Sequence, residues 1–215
     1  MIRRFPAFVL VAAMCAGVTL ACPVNAQAPE HSPPSTEPLQ PIQPPQNLPQ
    51  AQRGDPAKNL DRLFAALKAA PTSDSAKFIE MRIWAIWAAS GGDTATLLMS
   101  RVKTAMAAKD YDLSIKLLTA IIDIRPDYIE AWNRRATLYY LKKDFGASLA
   151  DIRAVLAREP RHFGAWAGLG MIMQELGDDE IALKALRRAL ALHPHLERVP
   201  DIVKKLTDKV EGRNI

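Results

Sequence analysis

The chain has 215 residues, 49% of them apolar and 24% charged, the balance of a soluble globular protein with room for one domain and an extension. A formal charge of +5, two units of it from Arg3 and Arg4, is too small and too scattered for a nucleic-acid footprint. Two cysteines, Cys15 and Cys22, exclude a disulfide scaffold and a cysteine-rich zinc site.

Residues 1–26 read as a secretory signal. Arg3 and Arg4 form its charged start, Phe5 to Ala21 is free of charge, and Val24-Asn25-Ala26 offers small or short side chains for cleavage after Ala26. The apolar run is at the short edge of the roughly 20 residues that a membrane span needs. Thr19-Leu20-Ala21-Cys22 also meets a permissive lipobox, so lipidation at Cys22 is the alternative to simple cleavage. Both routes lead to the cell envelope, periplasmic in the first case and membrane-anchored in the second.

From residue 27 to residue 56, nine of thirty positions are proline and six are glutamine, which precludes helix or sheet interior. The composition predicts a disordered stalk with polyproline II character, on the order of 90 Å long if fully extended. Pro41-Ile42-Gln43-Pro44 has the spacing of a PxxP ligand, although a spacer accounts for it as well.

Beyond the stalk, apolar residues recur at three and four, the period of helices. Residues 57–92 predict an atypical helix pair. Leu60, Leu63, Phe64 and Leu67 form one stripe ending before Pro71; Ile79, Ile83, Ile86 and Trp87 form the other, ending at Gly91-Gly92. Trp84 flanks the second stripe, and a packed N-terminal cap explains the two tryptophans better than a ligand box. A 34-residue period then begins. Trp132 and Trp166 are 34 apart, Pro126, Pro160 and Pro194 follow the same spacing, and so do Asp110-Tyr111, Asp144-Phe145 and Asp178-Asp179. Three units follow, at 95–128, 129–162 and 163–196. Pro200 starts a capping helix within 197–211, with Ile202, Val203, Leu206 and Val210 on one side and Lys204, Lys205, Asp208 and Lys209 on the other.

This period, with these residues, resembles the tetratricopeptide repeat. Trp166, Leu169, Gly170, Gly177, Asp178, Ala182, Leu186, Ala189 and Pro194 match its pattern in the third unit. Trp132, Ala136, Tyr139, Phe145, Ile152 and Pro160 match it in the second, with Ser148 where alanine is usual. The first unit is degenerate: Leu98, Tyr111, Ser114, Leu118 and Pro126 fit, while Val102 and Ala105 depart from the pattern. Residues 83–87 and 210–213 resemble short exported members of this family from Gram-negative bacteria. The resemblance implies an all-α, right-handed superhelix of helix pairs between the atypical pair and the capping helix. It also implies a concave groove facing a protein or peptide partner. The groove places it assigns are Met99, Lys103 and Met106, then Glu130, Asn133, Thr137, Tyr140 and Leu141, then Met171, Gln174 and Glu175, with Arg134 at the edge. A carboxylate clamp of the kind found in some members is not expected, because Gly164 and Gly168 stand where it needs cations.

No catalytic residue, cofactor or metal is expected. The phosphate-loop, nucleophile-elbow and zincin motifs are missing, and Asp178-Asp179-Glu180 reads as a helix start. His162, His193 and His195 fall at unit ends and are expected in surface turns. The reading is a non-enzymatic scaffold of the envelope that binds protein, not nucleic acid, and meets a membrane only through Cys22 or an uncleaved signal. The alternatives are an accessory subunit docking through its convex or N-terminal face and, least favoured, a cryptic enzyme.

Overall fold

The computed structural model describes residues 56–212, so the leader, Cys22 and the proline-rich segment up to residue 55 lie outside the described residues. Nine α-helices and no strands make up the described residues. They are α1 (Pro56–Lys68), α2 (Ser73–Ala89), α3 (Gly92–Ala107), α4 (Tyr111–Ile124), α5 (Ile129–Leu141), α6 (Phe145–Arg158), α7 (Phe163–Glu175), α8 (Asp179–Leu192) and α9 (Val199–Val210). Helices α3/α4, α5/α6 and α7/α8 pack as successive pairs, forming an all-α solenoid that α9 closes.

The 34-residue period is a period of turn chemistry. Inside each pair the chain turns through a left-handed residue, Lys109 (φ 59°), Lys143 (φ 63°) or Gly177 (φ 82°). An aspartate follows each of them. Asp110, Asp144 and Asp178 accept from the backbone N–H of Leu113, Ala147 and Ile181, each at 3.0 Å, and so start α4, α6 and α8. Between pairs, the N–H groups of Arg125, Glu159 and His193 close the preceding helices onto Ile121, Val155 and Ala189. The indoles of Trp132 and Trp166 then donate back to the carbonyls of Pro126 (3.0 Å) and Pro160 (2.9 Å). Each tryptophan thereby ties its helix to the proline that precedes it.

Small residues set the approach of paired helices. A Cβ on Gly170 would lie 2.5 Å from Leu186 Cγ and 3.1 Å from the carbonyl of Ala182. Ser148, where the repeat pattern has alanine, is buried and donates to the Ala136 carbonyl at 2.7 Å, so its hydroxyl is satisfied. Val102 and Ala105, the departures of the first unit, are both buried. At the far end α9 buries Val199 and Leu206 on α8, and Arg187 donates to Thr207 Oγ1 (3.1 Å) and Glu211 Oε2 (2.9 Å).

The helix pair α1/α2 begins the domain in sequence but does not stack on α3 as a further pair. It lies along the edge where one pair ends and the next begins. Leu63, Phe64, Leu67, Ala76, Ile83 and Trp87 form one cluster with Ile129 at the start of α5 and Phe163 at the start of α7, and Leu192 and Leu196 pack against it. Gly91 and Gly92 permit this departure. Gly92 is left-handed (φ 74°), and a Cβ on Gly91 would come within 2.8 Å of the Tyr128 ring. Tyr128 donates its hydroxyl to the Ala88 carbonyl (3.1 Å), and the Arg125 guanidinium donates to the carbonyls of Gly91 (3.2 Å) and Ser90 (3.1 Å). The end of α2 is pinned to the first inter-pair turn in this way.

The expectation that the histidines occupy surface turns is wrong for two of the three. His162 is 0% and His193 1% exposed. His162 stacks on Trp87 (4.3 Å between ring centres, 10° between planes), and its Nδ1 accepts from the N–H of Ala165 at 2.9 Å. That bond fixes the neutral tautomer and leaves Nε2–H to face Glu130 Oε1 at 3.3 Å. His193 meets Glu80 Oε2 through Nε2 at 3.1 Å and packs edge-on against Phe163. His195, half-buried, donates from Nε2 to the Ala70 carbonyl at 2.9 Å. Unit ends are surface turns only where nothing covers them, and here α1/α2 covers them.

Glu80 accepts from both His193 and the Trp84 indole (3.1 Å), and the bond to His193 holds its carboxyl below the usual glutamate range. A carboxylate with a depressed folded-state pKa adds stability above its unfolded value, about 4.3, and loses it as pH falls through the folded value. Chemical-denaturation midpoints followed from neutral to acid pH are therefore expected to fall on that limb, and Glu80→Gln to flatten the fall. An acid limb unchanged by Glu80→Gln would remove this assignment.

Candidate functional site

One groove of the solenoid lies between α5, α6 and α7. It encloses a cavity of about 310 Å³. Its floor is Ala136, Ser148, Ile152, Ala165 and Ile172, and its walls carry Asn133, Thr137, Tyr140, Leu141 and Met171. The floor exists because α6 runs behind α5 and α7, so that Ile152 reaches between them. It is accessible because α7 has no side chain at Gly164 and Gly168, one turn apart. A Cβ at Gly168 would meet Ile152 Cδ1 at 3.4 Å, and one at Gly164 would meet Trp84 and His162 at 3.3 Å.

Apart from Ser148 in the floor, whose hydroxyl is taken up by the Ala136 carbonyl, the polar side chains lie at the rim. The Thr137 hydroxyl donates to the Asn133 carbonyl at 3.0 Å, leaving the Asn133 amide beside the cavity. Tyr140, half-buried and tilted against Phe145, directs its hydroxyl toward Glu175 Oε1 at 3.5 Å. Lys143 donates to Glu175 Oε2 at 3.0 Å and holds that carboxylate at the rim. The arrangement suits apolar side chains of a bound segment, with an amide and a phenol available to its backbone. It contains no nucleophile–base pair. Among the described residues, no group of three or more His, Cys, Asp or Glu side chains could hold a metal ion, and no helix is long and apolar enough to cross a membrane.

Of the groove places that the repeat pattern assigns, Asn133, Thr137, Tyr140, Leu141 and Met171 converge on this cavity. Gln174 is exposed on α7, a turn beyond it, and Arg134 is exposed on α5 with Nε 3.9 Å from Glu130 Oε2. Met99 and Met106 are half-buried against the core of the first pair, and Lys103 is exposed on α3; none of the three lines the cavity. Glu130 is a correction. Its side chain is 2% exposed and turned to His162 beneath α2, so it is unavailable to the groove. Gly164 and Gly168 were legible as missing cations; what only the packing reveals is that they open the cavity wall. Ile152, from the second helix of its pair, carries no sequence signal of a groove position.

No family model matches the chain. A curated tetratricopeptide-repeat-containing protein of Rhizobium etli is 39% identical over 99 residues, which are 46% of this chain. The chain spans about half the length of that relative, 48%. Among solved structures, the first tetratricopeptide domain of Spaghetti (RPAP3), bound to the HSP90 peptide SRMEEVD, has a TM-score of 0.52 at 22% identity, covering 54% of this chain and 93% of that one. The crystal structure of MamA has a TM-score of 0.51 at 15% identity, covering 75% of this chain and 82% of that one. The likeness to these structures is one of fold, and the fold is that of tetratricopeptide repeats.

Proposed function

We propose that the chain is a non-enzymatic adaptor, exported to the bacterial envelope, that holds an extended or helical segment of a partner protein in the α5–α7 groove. The observation that carries this reading is the apolar cavity rimmed by Asn133, Thr137 and Tyr140 on rigid helices. Such a surface buries apolar anchors while a few polar groups fix the orientation of the bound segment. The peptide-bound domain of Spaghetti supports it as a precedent on the same fold. The absence of cations at Gly164 and Gly168 argues against capture of a free carboxylate there. Export rests on Arg3-Arg4, the uncharged run to Ala21 and Val24-Asn25-Ala26; the alternative is lipid attachment at Cys22. The mass of the chain isolated from cells separates a start at Gln27 from a lipidated Cys22.

A photoreactive residue at Tyr140 is expected to give a discrete adduct in living cells, and the same residue at exposed Lys184 on α8 is not. Replacing Asn133 and Tyr140 together by alanine should weaken binding of the captured partner about tenfold or more, with the helical circular dichroism retained. Unchanged affinity would sink the groove reading. A second reading, docking as an accessory subunit through the N-terminal pair, draws on Phe78 and Met81, which stand 59% and 56% exposed on the outer side of α2. Adducts from Phe78 but not from Tyr140 would favour it.

A further inference from the structure

The displacement of α1/α2 to the side leaves the front of the solenoid open. In the second and third pairs, the positions that follow Leu97 by one and two periods are Ala131 and Ala165, 0% and 1% exposed; those that follow Thr104 are Leu138 and Ile172, also 0% and 1%. These positions are buried against the helix pair that comes before. In the first pair, among the described residues, no helix pair is stacked in front. Leu97 is 61% exposed, Thr104 is exposed, and the surface continues over a groove of about 420 Å³ bordered by Ala108, Leu113 and Leu117. A solenoid end normally carries a polar face, as α9 does at the other terminus.

The charges on this face complement one another in a particular way. Arg101 follows the period of Arg135, which donates to Asp151 in its own pair and to Thr119 in the pair before. The first pair has Leu117 where the second has Asp151, and no preceding helix, so among the described residues Arg101 has neither an ion-pair nor a hydrogen-bond partner. Asp93, also exposed and without such a partner, lies four residues before Leu97, and Arg101 lies four residues after it. On a helix those two residues flank Leu97 at equal distances along the axis and at equal angles to either side. A two-fold axis through Leu97, with the two helices antiparallel, sets Asp93 of each copy against Arg101 of the other. The rest of the outer face, Thr94, Ser100 and Thr104, is small enough for close approach.

We infer that a second copy of this chain covers the open front of the solenoid, through antiparallel packing of α3 on α3 with Leu97 at the dyad and reciprocal Asp93–Arg101 ion pairs. The interface is isologous, as a closed two-fold dimer requires. Leu97 supplies the apolar centre, and the paired charges fix the register and exclude the parallel arrangement, which would bring like charges together.

The test is sedimentation analysis of the full chain, as cells process it, over micromolar to submillimolar concentrations. The unaltered protein is expected to sediment as a dimer and Leu97→Glu, which sets two carboxylates against each other across the dyad, as a monomer. Asp93→Arg and Arg101→Asp should each weaken association about tenfold or more, and the two together should restore it. Leu97 and both charged residues are exposed, so the fold should survive each change, and the restoring double variant separates lost charge pairing from lost structure. A monomer for the unaltered protein would overturn the inference, as would a dimer indifferent to Leu97→Glu. Failure of the double variant to recover association would overturn the antiparallel register.

Discussion

Replacing Phe163 by alanine is expected to lower the unfolding free energy by about 3–5 kcal/mol, the cost of emptying a buried aromatic site. Phe163 is 1% exposed and opens α7, but most of its neighbours belong to other elements. Its ring lies 5.5 Å from that of Trp87, 5.6 Å from Trp84, 6.5 Å from Phe64 and 5.2 Å from His193. The side chain therefore joins the N-terminal pair to the third repeat, and its loss leaves a void that α1, α2 and α8 share. The same change should selectively raise hydrogen exchange in α1 and α2, because they reach the repeats largely through this cluster. Uniform exchange along the chain, or a loss below about 1 kcal/mol, would mean that the pair is held by its polar contacts instead.

Asp151→Ala is expected to cost about 3 kcal/mol, measured by denaturant unfolding, because it leaves the Arg135 guanidinium buried without its counter-charge. The pair is bidentate, with Nε 2.8 Å and Nη2 2.9 Å from the two carboxylate oxygens, and its side chains are 13% and 4% exposed. The bond to Asp151 raises the pKa of Arg135; without it the guanidinium still keeps its charge, because its intrinsic basicity lies far above neutral pH. Arg135→Met combined with Asp151→Leu removes both charges and should recover most of the loss. A double variant as unstable as Asp151→Ala alone would show that the residues matter for packing, not for pairing.

The groove was partly legible in the sequence. Asn133, Thr137, Tyr140 and Met171 could be named because they lie on the first helices of their units, and the repeat pattern gives each such position a side. Glu130 was assigned the same side and is buried instead. Its helix does face the groove, but its first turn lies under Trp87 and His162. A pattern that describes one pair against the next contains no information about a third body. His162 and His193 are buried for the same reason: at unit ends, exposure depends on what crosses them.

The sequence by itself determined the elements, the pairing of α3 to α8 and the caps, because each is a local matter. An aspartate three residues before the N–H it caps, a proline within reach of an indole and a glycine under a leucine act over a turn or between adjacent helices. Their 34-residue spacing makes them readable. The tertiary structure alone decided where the N-terminal pair goes. Its hydrophobic stripes required burial, but an apolar stripe does not specify which apolar surface it meets. That choice was made by Gly91 and Gly92, which release α3 from α2, and by Tyr128, Phe163 and His193, which hold the pair at the edge from as far away as the third repeat. The exposed front of α3 follows from that choice.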